Sequence, residues 1–146
     1  MSYNTWHVYG YGVQTPDDVK IENLIRFCQK HKVLNDFLKI IEDEKPEKTY
    51  DIVFEYEGRY SSCAAIASMI ADAVEDETGV RLAAVTDYND NSYLVFEPYY
   101  PWSEINEAEK KIKTKKDVED LILPYLKELY EDDFPAFDYQ EVFNGG

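Results

Sequence analysis

The sequence predicts one α+β domain over residues 1–146, in which an antiparallel sheet packs against about four helices. Segments with helical periodicity alternate with short β-prone segments, and no repeat or low-complexity linker divides the chain. A chain of 146 residues, 45% of them apolar, is also long enough to bury one core. The order of these elements favours an antiparallel sheet with helices packed on it.

The N-terminal third begins with a predicted strand at residues 3–13, where Tyr, Trp and Val alternate loosely with other residues. Thr15 and Pro16 then resemble a helix start, with Thr15 as the N-cap and Pro16 at the first helical position. The predicted helix carries apolar residues at i, i+3, i+4 and i+7, namely Ile21, Leu24, Ile25 and Cys28. We also expect a short helix at 34–41 and a strand at 49–57.

The middle of the chain predicts a helix followed by a hairpin. Apolar residues with helical spacing indicate a helix over 62–78, and Gly79 is placed to end it in a left-handed conformation. Two β-prone segments follow, at 81–86 and 92–97. The residues between them, 87–91, are Asp, Tyr and Asn, and Asp and Asn are typical of turns.

The last third predicts a long helix and a final strand. Residues 103–113 fit either a short helix or a charged loop. Thr114 is predicted to cap the last helix, which extends to residue 130. Pro124 is expected to kink that helix, because it removes a backbone donor and crowds the preceding turn. Residues 134–143 are expected to add the final strand.

The charge of the chain is strongly negative but unevenly distributed. It has 30 acidic and 15 basic residues, which gives a net charge of −15. Residues 49–109 carry −11 and residues 117–146 carry −8, whereas residues 110–116 hold five lysines and no acid. Direct binding to nucleic acid or to an anionic membrane needs a basic face, so this charge argues against both and favours a basic protein surface as partner.

Aromatic residues near these acids predict where a partner binds. The chain has 13 tyrosines, and Tyr and Trp are common anchors of protein interfaces. We therefore expect binding at the hairpin turn, at a Pro-bounded aromatic loop and at an acidic C-terminal segment. The residues concerned are Asp87, Asp90, Glu97, Tyr99, Tyr100, Trp102, Glu131, Asp132 and Asp133.

In size, acidity and lack of a catalytic motif, the chain resembles small phage-encoded inhibitors such as anti-CRISPR proteins and DNA mimics, at the level of a class. The resemblance implies a non-enzymatic protein of a phage or another mobile element. Its carboxylates would take the place of phosphates on the basic surface of a nucleic-acid-handling enzyme.

Two alternative functions stay open at this point. The chain is an accessory or structural domain if the aromatic loop at 99–102 or the tail at 134–143 joins it to a second copy or to another subunit. It is a cysteine hydrolase if Cys63, at a predicted helix N-terminus, has a lowered pKa. That position faintly resembles the helix-start cysteine of papain-like hydrolases. In that family the histidine follows the cysteine, whereas His7 and His31 both precede Cys63, so we favour a structural cysteine.

No cofactor and no metal site are predicted. Cys28 and His31 have the spacing of a ligand pair, but no second pair follows at the spacing of a zinc site. Asp87, Asn89 and Asn91 begin like an EF-hand loop, which then lacks the required Gly and Glu. No secretory signal and no membrane-spanning segment are visible, and two cysteines are too few for a disulfide scaffold, so we expect a cytoplasmic protein.

Overall fold

The computed structural model describes residues 5–16, 19–32, 62–89, 91–97 and 104–145. These residues form four strands and four helices of an α+β fold, which confirms the predicted fold class. In chain order, the elements are β1 (Thr5–Thr15), α1 (Ile21–His31), α2 (Ser62–Thr78), β2 (Ala83–Thr86), β3 (Ser92–Phe96), α3 (Glu107–Lys110), α4 (Lys115–Tyr130) and β4 (Asp138–Gly145). The predicted elements at 34–41 and 49–57 lie outside the described residues.

The described strands form one antiparallel sheet in the order β2-β3-β1-β4. The long strand β1 pairs with β4 over residues 5–12 and with β3 over residues 11–15, so its two halves have different neighbours. Although β2 and β4 lie at opposite edges of this order, some of their Cα atoms approach within 8 Å. The sheet is therefore strongly curled.

Two glycines allow β1 to follow this curl. A Cβ atom at Gly10 would lie 2.1 Å from the carbonyl oxygen of Phe96, and one at Gly12 would lie 2.1 Å from that of Leu94. Gly10 also has a φ of 151°, a backbone conformation that other residues rarely adopt. Close approach of β1 and β3 at this point therefore depends on the absence of side chains.

The core lies between one face of the sheet and the helices. Helix α2 packs on β2 and β3, whereas α4 packs on β1, α1 and α2. The largest fully buried side chains include Leu24, Phe27, Ile66, Ile70, Leu94, Ile122 and Leu126. Because each buried side chain of this size contributes about 1.5–3 kcal/mol, this cluster is the main source of stability in the described part of the fold.

The predicted start of the first helix is wrong. Thr15 is the last residue of β1, where it is buried and its Oγ1 donates to the Ser92 carbonyl at 3.1 Å. Helix α1 begins only at Ile21, and its N-cap residue, Lys20, makes no side-chain capping hydrogen bond. Pairing with β3 keeps Thr15 in the strand, so tertiary contacts outweigh the local capping signal, and β1 extends to Thr15 instead of ending at residue 13.

The other described elements agree well with the predictions. Helix α2 has the predicted bounds, and Gly79 follows it with a φ of 81°. Thr114 caps α4 through a capping box with Asp117, and Pro124 lies inside that helix. The short-helix alternative for 103–113 is the correct one, since Asn106 caps α3 through a second capping box. The predicted hairpin is present, and the final strand occupies Asp138–Gly145 rather than 134–143.

Candidate functional site

The pairing of β1 with β4 brings aromatic residues from the two ends of the chain onto one sheet face. The residues directly opposite each other are His7 and Phe143, Tyr9 and Glu141, and Tyr11 and Tyr139. Directly opposed residues of an antiparallel pair share a face, and so do residues two apart on one strand. We call these six residues the aromatic ribbon face.

The rings on this face contact one another and are open to solvent. The His7 ring lies 5.4 Å from Tyr9 and 6.2 Å from Phe143 between centroids, and Tyr11 meets Tyr139 edge-on at 6.0 Å. Phe143 and Tyr139 are each 49% exposed. A contiguous group of large exposed rings is uncommon on a soluble monomer and is typical of an interaction site.

The hairpin turn extends this group of rings. Tyr88, in the turn between β2 and β3, is 58% exposed, and its ring lies 5.9 Å from the ring of Phe143. This contact is possible because the curl brings the β2 and β4 edges of the described sheet together. The hairpin turn and the aromatic ribbon face therefore form one continuous surface.

The opposite face of the same strands has little space for large side chains at two positions of β1. It carries Gly10 and Gly12 on β1, and Val142 on β4, which is 1% exposed. The close approach of β3 leaves no space for large side chains at the two glycines. The rings lie on the face that continues into the core, since Tyr11 lies directly opposite the buried Phe96, and Tyr139 and Phe143 are exposed on it.

The charge of this surface is negative. Strands β1 and β4 contain no lysine or arginine, and β4 contributes the exposed carboxylates of Asp138 and Glu141. Glu141 lies on the aromatic ribbon face itself, opposite Tyr9. Exposed rings and carboxylates therefore alternate on this surface.

Among the predicted partner-binding residues, Asp87 organises the hairpin turn. Its carboxylate accepts hydrogen bonds from the Asn89 amide at 2.8 Å, the Asn91 amide at 3.0 Å and the Tyr93 hydroxyl at 3.0 Å. Burial alone would raise the pKa of Asp87, but these hydrogen bonds outweigh it and hold the pKa below its ordinary value. Asp87 thus fixes the loop that presents Tyr88.

The other predicted acids, Glu97 and those of segment 131–133, lie at two different places in the fold. Tyr130, the last residue of α4, donates from its hydroxyl to the Pro16 carbonyl at 3.3 Å, so segment 131–133 lies near the C-terminal end of β1. All three acids of that segment are exposed, and Glu131 forms an ion pair with Lys20. Glu97 follows the opposite end of β3 and is exposed.

Four of the predicted partner-binding residues, Asp90, Tyr99, Tyr100 and Trp102, lie outside the described residues. Partner binding by the predicted set as a whole stays a prediction. The aromatic ribbon face was missed, although two alternating patterns, His7-x-Tyr9-x-Tyr11 and Tyr139-x-Glu141-x-Phe143, already indicated it. The sequence does not show that these two segments pair with each other.

His31 has a structural environment at the junction of three helices. Its ring nitrogens contact the carboxylates of Glu77 on α2 and Glu128 on α4, and its side chain is only 6% exposed. Burial favours a raised pKa for Glu128, but hydrogen bonds from Lys30 and His31 outweigh it and hold that pKa below its ordinary value. Burial and the nearby Glu77 raise the pKa of Tyr125 to about 12.

Catalytic and metal chemistry would depend on Cys63 and on clustered metal-ligating side chains. Cys63 is the second residue of α2, as predicted, but its side chain is not among the described ones, so enzymatic use of Cys63 stays a prediction. Within residues 5–16, 19–32, 62–89, 91–97 and 104–145, no cluster of three or more His, Cys, Asp or Glu side chains is arranged to hold a metal ion. None of the helices in these ranges combines the length and the apolar character needed to cross a membrane.

The comparisons with known proteins give no relative for this chain. No family model matches it, and no curated protein or solved structure is significantly similar to it.

Proposed function

We propose that this chain is a non-enzymatic acidic protein that binds a basic surface of a partner protein through the aromatic ribbon face and Tyr88. The observation that carries the proposal is a group of contacting, half-exposed rings on β1, β4 and Tyr88, in which the two strands supply carboxylates and no lysine or arginine. Exposed aromatic rings need a partner to remove them from water, and the carboxylates determine the sign of that partner's charge.

Arginine is the side chain that this surface fits best. A guanidinium group stacks on the face of Tyr or Phe and also donates paired hydrogen bonds to a carboxylate. Tyr139, Glu141 and Phe143 follow one another at alternate positions of β4 and thus offer both kinds of contact on one strand. Arginine-rich surfaces are characteristic of proteins that bind phosphate backbones.

The partner class we propose is therefore a nucleic-acid-handling protein whose basic surface the chain occupies in place of nucleic acid. A net charge of −15 supports this, because carboxylates held on a fold compete with phosphates for the same basic residues. Inhibition of such a partner on behalf of a phage or another mobile element is the biological role that fits.

The test is a competition experiment with a fluorescent arginine-rich peptide bound to duplex DNA. We expect the chain to displace the DNA at low salt and to lose this ability as the salt concentration rises. Glu141→Gln should weaken the competition about tenfold, and the matched variant Glu75→Gln, which removes the same charge from the exposed side of α2, should weaken it little. Equal weakening by the two variants would assign binding to net charge alone and contradict the proposed surface.

An accessory domain that assembles with itself is the second candidate. Strand β4 lies at an edge of the described sheet and carries the exposed Phe143, so a second copy can in principle add a strand there. The net charge of −15 opposes this assembly, because two like-charged chains repel each other. Light scattering that shows a dimer at moderate concentration would favour this candidate over the first.

A further inference from the structure

A second surface of the molecule has the shape of a small-ligand site. A cavity of about 340 Å³ lies between the sheet and the connection from α3 to α4. Its apolar wall is formed by Tyr11, Phe96, Ile105, Ile112, Val118 and Tyr139. This volume is within the range of sites that hold small organic molecules, which begins at roughly 300 Å³.

The depth of the cavity is apolar and its mouth is aromatic. Phe96 and Val118 are 8% and 1% exposed, so they form a dry floor. Tyr11 and Tyr139 are half-exposed and lie edge-on to each other, which places them at the opening. A ligand that enters here can bury an apolar part against Phe96 and Val118.

The wall formed by α3 is fixed in position by hydrogen bonds. Glu109 on α3 is fully buried, and its carboxylate accepts from the Arg81 guanidinium at 2.9 Å through both oxygens. The same carboxylate accepts from the backbone amides of Arg81 and Asn106. Glu109 lines the cavity, but its charge is already neutralised by Arg81, so the cavity is preformed and not acidic.

The charged groups at the cavity are lysines. Lys110 and Lys113 line it and are exposed, and they belong to the segment 110–116, which has five lysines and no acid. Lys110 forms an exposed ion pair with Glu107. The Asp117 carboxylate accepts from the amides of Lys113 and Thr114, which together with the nearby Lys113 charge hold its pKa below the ordinary value, but within the described residues no carboxylate forms a salt bridge with the Lys113 ammonium.

We propose that this cavity binds a small amphipathic anion, that is, an apolar body that carries one carboxylate. The body contacts Phe96, Val118 and the two tyrosines, and the carboxylate meets the ammonium of Lys113 at the mouth. A neutral apolar molecule would leave the lysines unused, and a cation would be repelled by them. This site shares Tyr11 and Tyr139 with the aromatic ribbon face, but Tyr88, Glu141 and Phe143 do not line the cavity, so the two proposals can be tested separately.

The test compares three eight-carbon probes, octanoate, octanol and octylammonium, in titrations followed by amide chemical shifts of the full chain. We expect octanoate to give saturable shifts at the cavity-lining residues and to bind at least about tenfold tighter than octylammonium. Octanol should bind weakly at the same residues. Shifts that do not saturate, or equal affinity for octanoate and octylammonium, would overturn the proposal.

Two matched charge reversals locate the anion. Lys113→Glu should weaken octanoate about tenfold, whereas Lys127→Glu, on an exposed position of α4 that does not line the cavity, should leave its affinity unchanged. A similar loss in both variants would overturn the assignment of the carboxylate to Lys113. Ile112→Trp, at a half-buried position of the wall, should abolish octanoate binding while the rest of the amide spectrum stays in place.

Discussion

The aromatic ribbon face and the cavity beside α3 share two residues but differ in charge. Tyr11 and Tyr139 belong to both. On the ribbon side, the adjoining charged residues of β4 are the acids Asp138 and Glu141, whereas the cavity side carries Lys110 and Lys113. The net charge of −15 therefore agrees in sign with the ribbon side but not with the lysines at the cavity.

Strand β1 connects the two regions at Gly10. This glycine lines the cavity and lies between Tyr9 and Tyr11 of the aromatic ribbon face. It has a φ of 151° and lies directly before residues 11 and 12, where β1 pairs with both β3 and β4. A substitution at Gly10 should therefore destabilise both regions, whereas a substitution within one region should leave the other unchanged.

The largest effect is expected for Gly10→Ala. The added Cβ would lie 2.1 Å from a backbone oxygen and would also require an unfavourable φ, so we expect a loss of roughly 3 kcal/mol or more in the free energy of unfolding. Gly79→Ala is the control, because its φ is also positive but its nearest new contact is 3.7 Å away, and it should cost about 1 kcal/mol. Equal losses in urea denaturation would mean that the close approach at Gly10 is not needed.

Next in size is Arg81→Ala, which affects the cavity side alone. It leaves the buried carboxylate of Glu109 without its charge partner, and we expect a loss of about 3 kcal/mol. Lys110→Ala removes an exposed partner in the neighbouring pair with Glu107 and should change stability by less than about 0.5 kcal/mol. Urea denaturation of both variants checks this, and a small effect of Arg81→Ala would contradict a fixed α3 wall.

A smaller effect is expected at the start of α4. Thr114→Ala removes the hydroxyl that accepts from the Asp117 amide, and a lost N-cap costs about 1 kcal/mol. Hydrogen exchange should accelerate in the first turn of α4 and stay unchanged in β4. Thr114→Ser keeps the hydroxyl and should restore the wild-type exchange rates, and failure of that rescue would rule out capping as the cause.

The smallest effect concerns the acid sensitivity of the hairpin turn. The folded-state pKa of Asp87 is lowered from 3.8, so its contribution to stability is present above that value and is lost as the pH falls through the lowered folded-state value. Asp87→Asn should therefore be less stable at neutral pH and should lose less of its stability on acidification. Thermal unfolding across the acidic range measures this, and an acid dependence identical to wild type would show that the turn hydrogen bonds do not favour the carboxylate.

Local signals were sufficient where neighbours along the chain determine the structure. The cap at Thr114 and the helix end at Gly79 were predicted correctly, because the groups involved are a few residues apart. Thr15 carried an equally good local signal, and the prediction failed because its partner, Ser92, is distant in sequence. The sequence alone does not show that pairing with a distant strand will outweigh a local capping signal.

Both proposed sites depend on contacts between distant segments. The aromatic ribbon face requires residues 5–12 to pair with residues 138–145, and the cavity requires β1 and β3 to meet the α3–α4 connection. Alternating aromatic residues were visible at both ends of the chain, but only the register shows that His7 lies opposite Phe143. The acidity of the chain was predictable from its composition. The position of the acidic β4 residues beside a lysine-lined cavity was not.

We propose that the rings of the aromatic ribbon face and of Tyr88, and not charge alone, bind arginine-bearing partners. The most direct measurement is the affinity of an arginine-rich peptide for the double variant Tyr88→Ser, Phe143→Ser, which keeps the net charge and removes two exposed rings. We expect a loss of at least about tenfold for this variant and a smaller loss for Asp132→Asn, Asp133→Asn, which removes two exposed charges and no ring. Unchanged affinity in the ring variant, together with a larger loss in the charge variant, would contradict it.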